Sequence, residues 1–176
     1  MNIWRDINPK RIKPNDFIAY IEIECGSKNK YELDKETGFI ILDRVLYTST
    51  HYPMNYGFIP RTLSGDGDPL DVFVLCSQPI EKMSLVRCYP IGVVFMRDGE
   101  EDDEKIIAIP FGDPQYNCYK DFHDLPEHII DELKHFLNVY KQLENKTVKV
   151  LEVGSREVAE QTIAKNIDCY VETFER

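Results

Sequence analysis

Between residues 66 and 71 the chain gathers three carboxylates, Asp66, Asp68 and Asp71, and runs straight from the last into an apolar segment. Like charges so close repel one another, and folding alone gives no reason to collect them. A divalent cation would, because hard ions such as Mg²⁺ take oxygen ligands and favour carboxylates. Gly67 admits a backbone dihedral that other residues avoid, and Pro69 fixes the next bend. Asp71 opens Val72-Phe73-Val74-Leu75, a β-branched and aromatic run that reads as a buried strand. The acids are therefore expected on a tight turn anchored by a rigid element, where a metal site is best held. The plain alternative is a solvated loop, since Asp, Gly and Pro are ordinary turn residues. A calcium EF-hand is excluded, because the sixth and twelfth positions counted from Asp66 hold Asp71 and Ser77 rather than Gly and Glu.

A length of 176 residues suits one domain with a real core and leaves little for two, so residues 1–176 are read as a single unit. The net charge of −10 argues against a nucleic-acid partner, which needs a basic surface to displace counterions from phosphates. It does not exclude a small phosphate substrate if cations stand between acids and anion. No run approaches the ~18 apolar residues of a membrane span. The start, Met1-Asn2-Ile3-Trp4-Arg5-Asp6, shows no apolar signal region. The five cysteines are odd in number and form no C-x-x-C pair, which suits reduced thiols and a cytoplasmic location.

Phe17 to Glu24 reads as a strand with Ile21 and Ile23 on one face and Glu22 on the other. Lys30 to Leu33 and Phe39 to Val45 flank a turn at residues 34–38 and read as a hairpin, with Lys30 and Glu32 sharing a face. Further strands are expected at 71–76, 85–96, 105–110 and 148–153. One helix is expected after Asp124 as N-cap, with Ile129, Leu133, Phe136 and Tyr140 in a stripe. A second follows Gly154-Ser155, with Ala159, Ile163, Ile167, Tyr170 and Phe174 periodic. Strands first and helices late give an α+β, mainly β class, such as a barrel decorated by helices, rather than alternating βαβ units.

Positions 98–104 hold six acids, interrupted only by Gly99, and are closed by Lys105. Taken alone, that segment reads as a solvated hairpin loop; two acidic turns at strand ends of one small barrel would instead share a pocket. Arg44 interrupts a strand and needs an anion or carboxylate partner. Tyr140-Lys141 ends the first helix, where a lysine also suits the helix dipole. Tyr52 to Pro60 is dense in aromatics and turn formers and reads as a Pro-braced loop over the core, with the Tyr56 hydroxyl free to meet a polar ligand. The four histidines lack zinc-ligand spacing, and no P-loop, G-x-S-x-G or G-x-G-x-x-G is present.

The ordered set Lys30-Tyr31-Glu32, Asp43-Arg44, Tyr52-Pro53-Met54-Asn55-Tyr56-Gly57, Asp66-Gly67-Asp68-Pro69-Leu70-Asp71, Asp98 with Asp103 and Lys105, and Tyr140-Lys141 resembles the soluble family I inorganic pyrophosphatases in their short bacterial form. The resemblance covers roughly residues 15 to 152. It implies a five-stranded OB-like barrel with two flanking helices in the C-terminal half, Mg²⁺-dependent cleavage of diphosphate to two phosphates, several Mg²⁺ ions per site, and a homohexamer. By the same analogy Asp66, Asp71, Asp98 and Asp103 hold metals, and Glu22 and Glu32 support them. Asp68 is implied as general base. Lys30, Arg44, Tyr56, Lys105, Tyr140 and Lys141 are implied to grip the phosphates, with Lys30, Arg44 and Tyr56 also serving the chemistry.

The residue types suit that reaction: clustered acids recruit cations, and the cations recruit a polyanion and activate water. Two other functions compete, a metal-dependent hydrolase of other polyphosphates and a non-enzymatic divalent-cation-binding module. The second has no need of Lys30, Arg44, Lys105 and Lys141 beside the acids.

Overall fold

Every residue of β1 (Phe17–Ile23) is buried, which is why its sequence is nearly continuous in apolar character. In the computed structural model, which describes residues 1–175, this strand has two partners. Its end pairs antiparallel with β4 (Asn55–Ile59), and its beginning pairs with β6 (Leu85–Asp98). Strand β4 continues antiparallel to β5 (Leu70–Val74), which lies parallel to β7 (Glu101–Pro110), itself antiparallel to β6. The order β1-β4-β5-β7-β6 and back to β1 is a closed ring of five strands, an OB-like barrel without free edges inside the ring. Strand β8 (Val148–Ser155) adds to β6, and β2 (Asn29–Leu33) with β3 (Ile40–Val45) forms a separate hairpin.

Residues 55–59, read from sequence as part of a braced loop, are thus a barrel strand. The turn formers misled there because Gly57 serves packing: a Cβ on it would lie 1.8 Å from the Tyr20 carbonyl oxygen of β1. A second correction concerns β1. Its register with β4 slips between Ile21 and Ile23, so Glu22 is the extra residue of a bulge. The bulge breaks the alternation and sends Ile21 and Ile23 into different apolar clusters instead of one face.

Both faces of the sheet are covered. Phe73, Ile107 and Ile109 pack with Leu133, Phe136 and Leu137 of α1 (Glu127–Val139). Val72, Val74, Ile106 and Ala108 pack with Ala159 and Ile163 of α2 (Arg156–Phe174). Each large apolar side chain fully buried this way contributes about 1.5–3 kcal/mol. Ser155 caps α2 as expected, its side chain accepting from Val158 N–H. Helix α1 starts later than expected: Asp121 and Asp124 form a capping box around a single 3₁₀ turn at Phe122–Asp124, and Pro126 precedes Glu127. Ile129 is half-buried, and Ile130 takes the buried place at the head of the stripe.

Candidate active site

The acidic turn after β4 is fastened at its base. Ser64 N–H donates to the Asp68 carbonyl at 2.8 Å, Asp68 N–H donates to Asp66 Oδ1 at 2.9 Å, and Gly67 sits at φ +85°. The turn opens on a cavity of about 370 Å³. Glu22 of β1 enters from the bulge, and Lys30 and Glu32 of β2 from the hairpin. Tyr56 of β4, Asp71 of β5, Asp98 of β6 and Asp103 and Lys105 of β7 enter from the barrel, and Tyr140 and Lys141 from the end of α1. All the candidate residues except Arg44 line this one space. The acidic hairpin divides: Asp98 and Asp103 face the cavity, while Asp102, a strand residue of β7 rather than part of a loop, is solvent-exposed and pairs with Arg97 across the ladder at 3.0 Å.

Lys105 is buried at the centre. The parallel register of β5 on β7 sets it beside Asp71. Its Nζ lies 2.7 Å from Asp71 Oδ2, 3.2 Å from Asp103 Oδ2 and 2.9 Å from the Tyr56 hydroxyl. Burial alone would lower its pKa, but Asp71, Tyr56 and Asp103 hold it well above the usual lysine value. The Tyr56 phenol is pushed well up, chiefly by burial and then by Asp71. Glu22 is buried, and that desolvation raises its carboxyl to about 8 in spite of a 2.7 Å bond from Leu33 N–H; the Asp71 charge adds to the rise. Asp66 is raised by desolvation and then by the charges of Asp68, Asp71 and Asp103, which line the same cavity.

Cations ring the acids. Lys141 Nζ bonds Asp98 Oδ2 at 2.5 Å, and Lys30 Nζ reaches Glu32 at 3.1 Å and Asp43 at 3.4 Å. Arg44 stands behind Lys30 across the β2–β3 pair, 2.5 Å from Asp43 and 2.7 Å from Glu144, and does not line the cavity. Its buried Nη2 has no hydrogen-bond partner among the described residues, an unused donor of the kind an anion would engage. Sequence reasoning missed Lys35, which lines the cavity and pairs with Asp68. It sits in the hairpin turn, where a lysine carries no sequence signal of a site. Its Nζ also lies 5.3 Å from the ring centre of Trp4, whose indole N–H donates to the Thr62 carbonyl at the start of the acidic turn.

Among the described residues no three His, Cys, Asp or Glu side chains form a ready-made metal centre. The reason is visible: Lys105 stands between Asp71 and Asp103, and Lys35 and Lys141 occupy Asp68 and Asp98. The donor set nonetheless fits Mg²⁺, since it is all oxygen, largely carboxylate, and lacks the sulfur and imidazole that softer metals prefer.

The family model for inorganic pyrophosphatase matches residues 19–171. Among curated proteins the chain is 46% identical to the inorganic pyrophosphatase of Aquifex pyrophilus, over 95% of this chain and 96% of that one. It is 44% identical to soluble inorganic pyrophosphatase 2 of Chlamydomonas reinhardtii, over 97% and 89%. Among solved structures, the inorganic pyrophosphatase from Thermus thermophilus superposes with a TM-score of 0.92 at 36% identity, covering 97% of this chain and 99% of that one. Barrel, acid-lined cleft and relatives together define a hydrolase on an OB-like fold. More narrowly, the chain belongs to the inorganic pyrophosphatase family.

Proposed function

We propose that this protein hydrolyses inorganic diphosphate to two orthophosphates in a cleft loaded with several Mg²⁺ ions. The observation that carries the reading is the convergence of acids and cations from five strands, two turns and a helix end on one cavity large enough for a small polyanion. Acids alone would suit a cation-binding module; Lys30, Lys105, Tyr140 and Lys141 on the same walls suit a receptor for phosphates.

Bound Mg²⁺ would neutralise the substrate and acidify the attacking water. Asp66, Asp71, Asp98 and Asp103 would hold it, with Glu22 and Glu32 in support. Asp68, exposed at the mouth of the cleft, would serve as the base that accepts a proton from the attacking water. Lys30, Lys105 and Lys141 orient the two phosphates and stabilise charge as it moves onto the leaving one, joined by the Tyr56 and Tyr140 hydroxyls. Arg44, implied by the resemblance to grip a phosphate, would do so only by turning its unpartnered Nη2 into the cleft. Bonds of this type break so slowly in water that the site must supply on the order of 15–20 kcal/mol, more than one general base contributes.

Phosphate release from diphosphate, from ATP and from no substrate, each with Mg²⁺, with Ca²⁺ and with EDTA, tests the reading. Release from diphosphate with Mg²⁺, abolished by EDTA, is the expected result. Faster release from ATP would favour the broader polyphosphate hydrolase, and none from either would leave the cation-binding module.

The resemblance further supports one catalytic unit over 1–176, a homohexamer and a cytoplasmic location. No helix among the described residues is long and apolar enough to cross a membrane. Phe39, Ile41, Val45 and Tyr47 expose an apolar stretch on and beside the β2–β3 hairpin, surface that assembly would cover. Sedimentation would settle the oligomer.

A further inference from the structure

Asn166 lies in the middle of α2, only 2% exposed, on the buried face with Ala159, Thr162, Ile163 and Tyr170. A buried polar side chain costs stability unless its hydrogen bonds are made, and this one makes them in two directions. Its Nδ2 donates to Glu104 Oε1 at 2.9 Å, and its Oδ1 accepts from Ser64 Oγ at 3.0 Å. The remaining Nδ2 proton serves the helix's own Thr162 carbonyl at 2.8 Å, while the Asn166 carbonyl accepts Leu63 N–H at 3.0 Å.

The two partners do not line the cleft themselves but are chain neighbours of its two acid-bearing walls. Ser64 closes the turn of Asp66 and Asp68, since its own N–H holds the Asp68 carbonyl and its carbonyl holds Gly67 N–H. Glu104 lies between Asp103 and Lys105 on β7, and its N–H is bound by Asp103 Oδ1 at 2.8 Å. One amide thus spans the acidic turn and β7. Only a group that donates and accepts from one plane does both: a carboxylate would face Glu104 with like charge, and an aliphatic side chain would leave the Ser64 hydroxyl and Glu104 without these partners.

We propose that Asn166 is a positioning residue that sets the spacing between Asp66 and Asp68 on one wall and Asp103 and Lys105 on the other, and thereby the affinity of the cleft for Mg²⁺. The inference rests on the diphosphatase reading above. It extends the site to a helix that contributes no residue to the lining of the cleft.

The test compares Asn166→Leu and Ser64→Ala with Ile163→Val, a change on the same helix that trims an apolar contact and makes no hydrogen bond to Ser64 or Glu104. Mg²⁺ binding by calorimetry without substrate, kcat and KM at saturating Mg²⁺, and folded fraction are measured well below the unfolding temperature. Asn166→Leu is expected to weaken Mg²⁺ binding by roughly tenfold or more and to lower kcat, with KM for diphosphate little changed. Ser64→Ala should move both in the same direction by less. Ile163→Val should lose stability alone. Folded Asn166→Leu and Ser64→Ala proteins with wild-type Mg²⁺ affinity and kcat would overturn the proposal. If Asn166→Leu does not fold, Ser64→Ala decides by the same criteria. A wild-type protein that neither binds Mg²⁺ nor cleaves diphosphate would sink the parent reading, a result distinct from unaltered variants of an active enzyme.

Discussion

Lys105 has Asp71, Asp103 and the Tyr56 hydroxyl around its ammonium in place of water. Asp71 therefore answers to this lysine and to any cation that enters. Asp71→Asn keeps the shape and removes the charge, so activity at saturating Mg²⁺ should fall by roughly a hundredfold or more, read as phosphate release. Lys141→Ala removes a donor from the rim and leaves the barrel intact; KM for diphosphate should rise about tenfold or more, with the fold unchanged by circular dichroism. Glu22 gives a pH signature. Its carboxyl titrates near 8 in the folded chain against about 4.5 when free, so the folded state holds the proton more tightly. That contribution to stability is complete below about pH 4.5 and is lost as pH rises through 8. In chelator, Glu22→Gln should flatten this decline and be more stable than wild type at the upper end by roughly 1–3 kcal/mol in denaturant titrations. At this scale the acids of 66–71 and 98–104 stood out because clustered like charges are visible in one dimension, while Glu22, Glu32 and the roles of Lys30, Lys105 and Lys141 were implied by the resemblance. Lys35 and Asn166 were legible by neither route, because one sits in a turn and the other inside a helical stripe, and each matters only through residues tens of positions away.

Elements were legible where hydrophobic period and end signals agreed, as in β1, β5, the hairpin and the Ser155-capped α2. They failed where a local signal had a tertiary cause. The aromatic and turn-rich stretch around Tyr56 became β4 because closing the barrel needs a strand whose backbone almost touches β1. Gly57→Ala tests this directly: with 1.8 Å between the new Cβ and the Tyr20 carbonyl, backbone must move, and a loss of more than about 3 kcal/mol, or failure to fold, is expected in chemical denaturation. Asp124 illustrates the converse. It is not the N-cap of α1 but the third residue of a 3₁₀ turn capped by Asp121, whose N–H its side chain accepts, and Pro126 intervenes before the helix begins without a side-chain cap. The Glu22 bulge had no sequence signature; it appears only when two strands are paired, and it aims the carboxyl into the cleft.

For the molecule as a whole, the barrel closes through pairings far apart in sequence, Phe17 with Cys88 and Asp71 with Lys105. The cleft exists only when those are made, so under the proposed reading an ion bound there would stabilise the fold. Saturating Mg²⁺ should raise the melting temperature by on the order of 5–10 °C over chelator, and by less than half that in Asp71→Asn, by scanning calorimetry. The five cysteines bear on none of this; all are free, and Cys88 is sealed in the core.

Trp4 is the sole tryptophan of the chain, and it rests where the acidic turn begins, with the Lys35 ammonium above its ring and that ammonium on Asp68. A cation or substrate that draws Lys35 off Asp68 also changes the field over the indole. The protein therefore carries an intrinsic optical gauge of its own mouth, readable as a shift in emission without label or chromogenic coupling.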